Sequence, residues 1–161
     1  MIFRNATIED LPQIVAIYNS TISSRKVTAD TEEVSLESRI KWFNAHTKER
    51  PLLVSESQGH LIGFLSFKSF YGRPAYSITA EIAIYLSQEF RGKGFGKDFL
   101  KHAIEIAPSL KIENILGFIF NTNTSSISLF KSFGFEPWGT LPAVANMEGN
   151  YYDLIIMGKK V

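Results

Sequence analysis

The sequence predicts one α+β (α/β) domain built on a mixed, mostly antiparallel sheet flanked by helices, and three observations lead there. Apolar residues recur at helical spacing early in the chain, switch to strand-like runs from Pro51, and return to helical spacing after a glycine-rich turn. At 161 residues the chain is long enough to bury one sizeable core and short for two. No internal repeat, low-complexity tract or linker-like stretch divides it, so residues 1–161 are read as a single domain.

The elements follow in order. Ile2 to Arg4 reads as a short strand. Thr7, followed three residues later by Asp10, resembles a helix start, and Leu11, Ile14, Val15, Tyr18 and Ile22 then share one face. The polar stretch Ser23 to Ser35 ends at a plausible N-cap, after which Leu36, Ile40 and Phe43 recur at helical spacing, with Trp42 beside them. Leu52 to Val54 and Leu61 to Phe67 read as strands joined by the turn Ser57-Gln58-Gly59-His60, an antiparallel hairpin. A loop with Tyr71-Gly72-Arg73-Pro74 leads to the strand Thr79 to Leu86, then to the glycine turn and a helix with Phe95, Phe99, Ala103 and Ile106 on one face before Pro108. Ile115 to Phe120 is the next strand. Asn123-Thr124-Ser125-Ser126 opens a helix through Phe130 and Phe133 that Gly134 is placed to cap, and strands at Phe135 to Thr140 and Tyr152 to Gly158 close the chain.

Composition narrows the function classes. The net charge is +1 with a pI near 7.9, which argues against a nucleic-acid or acidic-membrane surface. There is no cysteine, so disulfides, thiolate metal sites and a cysteine nucleophile are excluded. The first residues lack a signal peptide's apolar stretch, and no run approaches the ~20 apolar residues of a membrane span, so a cytoplasmic location is expected. His46, His60 and His102 read as surface histidines, and no metal site is expected.

The run Arg91-Gly92-Lys93-Gly94-Phe95-Gly96 holds most of the functional information. Glycines at 92, 94 and 96 let successive backbone N–H groups approach a phosphate at a helix N-terminus, and Arg91, Lys93 and Lys97 add positive charge. A dinucleotide fingerprint is the rival reading, with Glu113 at about the required ~20-residue distance, but the run begins more than halfway along the chain and leaves little room for a second nucleotide-binding half.

Set beside Glu81-Ile82-Ala83-Ile84-Tyr85-Leu86 and the stretch Asn123 to Phe135, this run resembles the GNAT superfamily of N-acetyltransferases, whose Arg/Gln-x-x-Gly-x-Gly/Ala signature is matched by Arg91, Gly94 and Gly96. Arg4-Asn5-Ala6-Thr7, Ile17-Tyr18-Asn19, Arg73-Pro74-Ala75-Tyr76, Thr79-Ala80-Glu81 and Gly149-Asn150-Tyr151-Tyr152-Asp153 are similar to its phosphinothricin and methionine sulfoximine acetyltransferase subfamily. The resemblance implies an acyl-CoA N-acyltransferase fold in which the strand of Glu81 splays from its parallel neighbour and acetyl-CoA, the co-substrate, fills the gap. It further implies backbone contacts from Ile84, Tyr85 and Leu86, a pyrophosphate cradle from Arg91 through Gly92, Lys93, Gly94, Phe95, Gly96 and Lys97, and further contacts from Asn123, Ser126 and Phe130.

Acetyl transfer to an amine needs a neutral amine, an aligned carbonyl and donors for the charge that develops on its oxygen. Glu81 is a lone carboxylate in an apolar strand, read either as the general base or as a solvent-facing strand-end acid. The backbone N–H of Tyr85 is the oxyanion donor that the resemblance implies, and Arg73, Tyr76, Thr79 and Glu81 are its implied substrate contacts. Arg73 suits an α-carboxylate because a guanidinium donates two parallel hydrogen bonds; its rival reading is a solvated loop arginine. Trp42, Phe67, Phe70, Tyr71 and Tyr76 read as either a side-chain pocket or core. Two departures stand out: Ser77 where the subfamily often has arginine, and Phe130, which cannot donate a proton, where relatives carry tyrosine or histidine.

An α-amine, with a pKa near ~8 against ~10.4 for lysine, is the easier group for one weak base to deprotonate. The resemblance, which this difference mildly favours, implies acetyl transfer from acetyl-CoA to the α-amine of a small amino acid or analogue such as methionine sulfone, methionine sulfoximine or phosphinothricin, a small-molecule amine, with a protein N-terminus or polyamine, or a non-catalytic acyl-CoA-binding role, as alternatives. The resemblance also implies a homodimer, with the aromatic-rich segment Trp138 to Tyr152 as the candidate interface.

Overall fold

The computed structural model describes residues 1–161. In chain order it contains β1 (Arg4–Asn5), α1 (Leu11–Ile22), α2 (Leu36–Asn44), β2 (Leu52–Ser57), β3 (His60–Ser69), β4 (Thr79–Leu86), α3 (Phe95–Ile106), β5 (Asn114–Phe120), α4 (Thr124–Ser132), β6 (Glu136–Met147) and β7 (Asn150–Lys160). The strands form one seven-stranded sheet in the order β1-β2-β3-β4-β5-β7-β6. Every neighbouring pair is antiparallel except β4 and β5, whose parallel pairing is made possible by the crossover through α3.

Alternation along the strands gives the sheet two apolar faces. Leu53, Ile62, Leu65, Phe67 and Ile82 pack with Phe99, Leu100 and Ala103 of α3, while Leu52, Val54, Leu61 and Phe64 pack with Ile14 and Ile17 of α1. The parallel pairing lasts only through Thr79↔Asn114, Ala80↔Ile115 and Glu81↔Leu116. Past Glu81, β4 stays with β3 as far as Leu86 and β5 stays with β7 as far as Phe120, so the two middle strands diverge and open a slot.

Two boundaries differ from the sequence reading. The first strand is Arg4–Asn5, and Ile2 is 87% exposed, because the ladder starts at Arg4↔Val54. The last two strands are much longer than expected and meet at a turn with Glu148 and Gly149 at φ 56° and 84°. Pro142 hides the second half of β6 in the sequence; it and Pro137 are accommodated because β6 is an edge strand, with a register irregularity between Leu141 and Ala145.

The entry to α1 is fixed by charge. Arg4 donates to both carboxylate oxygens of the buried Asp10, at 2.7 and 2.9 Å, and Asp10 Oδ2 also accepts from the Thr7 N–H at 2.7 Å. These bonds, led by the one from Arg4, hold the Asp10 carboxyl below the usual carboxylate range. Asp10→Ala is therefore expected to lower stability by about 2 kcal/mol at neutral pH. The folded pKa is depressed, so the wild-type advantage is full above about pH 4 and shrinks as pH falls through the folded value; urea titrations at pH 7 and pH 3 check both statements.

Candidate active site

Opposite α3, the sheet and the first two helices enclose a cavity of about 230 Å³. Ile14, Val15 and Tyr18 of α1, Arg39 and Trp42 of α2, Phe64, Ser66 and Lys68 of β3, and Glu81, Ala83 and Tyr85 of β4 line it. The strand residues arrive there by alternation and register: Phe64↔Tyr85, Ser66↔Ala83 and Lys68↔Glu81 are cross-strand partners on one face.

Glu81 is half-buried in this wall. Loss of solvent raises its carboxyl pKa, and the charge of Lys68 beside it pulls in the opposite direction. The Arg39 guanidinium lies 4.2 Å from the Tyr18 ring centroid and 5.3 Å from that of Trp42, and donates to Asp30 at 3.4 Å. The Tyr18 hydroxyl donates to the same Asp30. Tyr85 stacks on Phe64 at 4.9 Å, and burial pushes its hydroxyl pKa well above the usual tyrosine range, so the phenol keeps its proton. The cavity thus offers one weakly basic carboxylate, two cations and an aromatic side wall.

Glu81, Ala83 and Tyr85 also line the slot between β4 and β5, which Gly117, Asn123, Ser126 and Phe130 complete. A β-carbon added at Gly117 would lie 2.4 Å from Phe130, so glycine there lets the Phe130 ring close against β5. Phe130 is otherwise a core residue, packed on Phe135 at 4.8 Å.

Backbone direction corrects one expectation. The Ser87 N–H donates to Ile62 O at 2.9 Å, and regular alternation back along β4 turns the N–H and C=O groups of Tyr85, Ala83 and Glu81 toward β3. The Tyr85 N–H is therefore committed to the ladder and is not an oxyanion donor. Ile82, Ile84 and Leu86 direct their backbone groups to the open side, where Leu86 O accepts from Arg91 Nε at 2.9 Å.

The slot runs into a groove along the glycine turn, lined by Arg91, Gly92, Gly94, Gly96, Lys97, Asn123 and Ser126. Gly92 and Gly94 have φ of 72° and 91°, a region that favours glycine, and Gly94 is the N-cap of α3. The N–H groups of Phe95 and Gly96 have no helical partners and suit a phosphate, while that of Lys97 donates to Gly94 O at 2.9 Å. Arg91 is partly committed to the scaffold, bonding Leu86 O and Ser20 Oγ, while the side chains of Lys93 and Phe95 fall outside the groove: Lys93 is exposed and Phe95 packs edge-on against Phe90 at 5.4 Å. Asn123 Oδ1 caps α4 by accepting from Ser126 N at 3.2 Å, leaving the Asn123 amide as donor. An extended apolar slot ending in a glycine cradle with Lys97 fits an acyl-CoA: chain in the slot, phosphates in the cradle.

Three expected substrate contacts are not in the cavity. Arg73 and Tyr76 are exposed and line a different groove, with Phe70, Ser77 and Pro108, that shares no residue with the Glu81 cavity. Thr79 accepts from Asn114 Nδ2 at 3.1 Å and closes the parallel ladder instead. Of the expected aromatics only Trp42 reaches the cavity; Phe67 is core, and Phe70, Tyr71 and Tyr76 form their own surface cluster. His46 and His102 are corrected too: His46 bonds Ser66 and the end of α2, and His102 stacks on Phe3 at 4.1 Å. The sequence reading missed Arg39, Ser66 and Lys68. Strand alternation from Glu81 and Phe64 was a usable signal for the last two; Arg39 had none.

Residues 3–156 match the family model described as an acetyltransferase (GNAT) domain. The chain is 49% identical, over 100% of its own length and 99% of the relative's, to YwnH of Bacillus subtilis, provisionally named a phosphinothricin acetyltransferase. It is 32% identical to the L-methionine sulfoximine/L-methionine sulfone acetyltransferase of Pseudomonas paraeruginosa, over 96% of this chain and 91% of that protein. The solved structure of a phosphinothricin acetyltransferase from Sinorhizobium meliloti in complex with acetyl-CoA superposes with a TM-score of 0.92 at 29% identity, covering 99% of this chain and 88% of that one.

The Glu81 carboxyl is expected to titrate above exposed glutamates in a carbon-13 NMR experiment, and Lys68→Gln to raise it further by removing the charge that lowers it. An unchanged value in the variant would show that Lys68 does not act on Glu81.

Proposed function

The chain belongs to the GNAT acetyltransferase family, and from that premise we propose that residues 1–161 form one N-acetyltransferase domain that acetylates the α-amine of a small amino acid or analogue, of the methionine sulfone, methionine sulfoximine or phosphinothricin kind. The observation that carries the reading is the shared wall: Glu81, Ala83 and Tyr85 line both the slot suited to the acyl-CoA and a cavity equipped for an amino acid.

Acetyl-CoA, when bound, supplies an acetyl thioester activated for direct attack by the amine. Ile84 and Leu86 offer backbone groups to its arm, and the glycine turn with Lys97 holds its phosphates. Arg39 and Lys68 take the substrate α-carboxylate, the role the sequence suggested for Arg73. Ile14, Val15 and Trp42 surround the side chain. Glu81, directly or through water, removes the ammonium proton so that the nitrogen lone pair is free to attack, and a small size of about 230 Å³ favours an amino acid over a peptide. Tyr85 keeps its phenolic proton at the shared wall and offers it there as a hydrogen bond, and the departing thiolate, whose thiol has a pKa near ~8.5, needs no strong acid in place of Phe130. Exposed Trp138, Leu141, Val144 and Tyr151 on the β6–β7 hairpin support a homodimer, and the absence of cysteine fits the cytoplasm.

The test is release of CoA, followed with a thiol reagent that meets no cysteine in the protein, over a panel of amino acids, the sulfone and sulfoximine, phosphinothricin, spermidine and a short peptide. Turnover is expected with small α-amino acids; preference for spermidine or peptide would reject the substrate class. Glu81→Gln should lower kcat by ~10²–10⁴ while the Kd for acetyl-CoA, measured by calorimetry, stays unchanged. Arg39→Ala should raise KM for the amino acid by roughly 10-fold or more, whereas Arg73→Ala should leave it unaltered; the reverse pattern would return the carboxylate role to Arg73.

A further inference from the structure

One polar pair, Ser66 on the cavity wall and His46 behind it, has no part in the mechanism above. Ser66 is buried in the β3 wall, next to Ala83 on β4, and its hydroxyl lies 2.8 Å from Nε2 of His46. The other ring nitrogen, Nδ1, lies 3.1 Å from Trp42 O and 3.2 Å from Phe43 O, the carbonyls at the end of α2. A carbonyl oxygen only accepts, so Nδ1 carries the hydrogen and Nε2 of the neutral ring is bare. Burial lowers the His46 pKa and favours that neutral ring. Ser66 must then donate its single hydrogen to His46, and its oxygen lone pairs are left for the cavity, where they have no protein partner among the hydrogen bonds of this side chain.

We propose that Ser66 is a hydrogen-bond acceptor for the substrate amine, with its polarity set by His46 as a positioning residue, and that the pair makes the enzyme selective for primary over N-alkylated amines. The inference rests on the amino-acid reading of the cavity. Across the β3–β4 ladder, Ser66 neighbours Ala83, the small residue on the wall common to the cavity and the slot, and Glu81 lies two residues away on the same strand face. A neutral primary amine has two N–H bonds and one lone pair. With one N–H directed to Glu81 or its water and the other to Ser66, the lone pair is turned toward the slot. An N-methyl amine keeps only one N–H after deprotonation, and one acceptor loses its partner. No bond in the protein is made or broken by this contact; it orients the nucleophile.

The measurement is kcat/KM for L-methionine sulfone and N-methyl-L-methionine sulfone with the wild type and with Ser66→Ala, Ser66→Thr, His46→Phe and His46→Gln. Melting temperature and acetyl-CoA Kd are recorded for every variant to establish folding. The wild type should prefer the primary amine. Ser66→Ala should cut kcat/KM for the primary amine by roughly 10-fold and leave the N-methyl substrate nearly unchanged, so the preference falls by the same factor. His46→Phe should do likewise by freeing the hydroxyl to reorient, whereas Ser66→Thr, which keeps the hydroxyl, and His46→Gln, whose amide oxygen accepts, should retain the preference. A preference ratio unchanged in folded, active Ser66→Ala would overturn this inference alone. No turnover by the wild type on any amine of the panel would overturn the acetyltransferase reading and this inference with it.

Discussion

The site depends on β4 having two unequal neighbours. Antiparallel β3 holds it along its length, while parallel β5 holds it only as far as Glu81↔Leu116. From there the backbone groups of Ile84 and Leu86 have no strand to bond. Polar backbone left unpaired inside a protein is costly, so such an opening persists where water or a ligand meets it. The divergence is built into the packing: β5 is tied to β7 through Phe120, and the Phe130 ring of α4 occupies the space that glycine leaves at position 117. One interrupted ladder thus yields a ligand edge on one side of β4 and, through alternation, a row of functional side chains on a face of the same strand.

Electrostatics then divides the labour in the cavity. Glu81 is held between two opposing effects, desolvation that disfavours its charge and a lysine that favours it, which is how a carboxylate is kept both ionisable and basic. Arg39 is held differently. Its charge rests over Tyr18 and beside Trp42 while Asp30 fixes its orientation, so a flexible side chain enters the site already ordered.

The polar segment between α1 and α2 makes that ordering possible. Asn19 pairs with Val34 through both its amide groups at 3.0 Å, Tyr18 reaches Thr28 and Asp30, and Arg25 bonds Thr31 O at 2.7 Å and Glu148 of the β6–β7 turn at 2.6 Å. A stretch without helical or strand periodicity is therefore cross-braced between the two helices, and its Val27 lines the slot. Arg91 performs a comparable task at the other end, joining the glycine turn to β4 and to Ser20 of α1, so the cradle and the cavity share one frame.

Periodicity and punctuation in the sequence were enough for the helices, the β2–β3 hairpin, the central strand and the glycine turn, because each of these is governed by residues close together along the chain. The same local logic located Glu81 on a strand, Gly92 and Gly94 in a turn and Asn123 at a helix start. Local rules failed where the partner is distant. Pro142 concealed the second half of β6, since only a place at the sheet edge makes it tolerable, and the direction of the Tyr85 N–H depends on register with β3. Arg73 sits in a motif that suggested a carboxylate clamp, yet its loop carries it to another groove, while the packing of α2 against the sheet brings Arg39 to the cavity wall and His46, just after that helix, to the Ser66 hydroxyl. The sequence by itself determined the fold class and the place of Glu81 in the central strand; the tertiary structure decided which cations, hydroxyl and histidine lie near it, because side-chain direction across elements is set by register and packing between segments far apart in the chain.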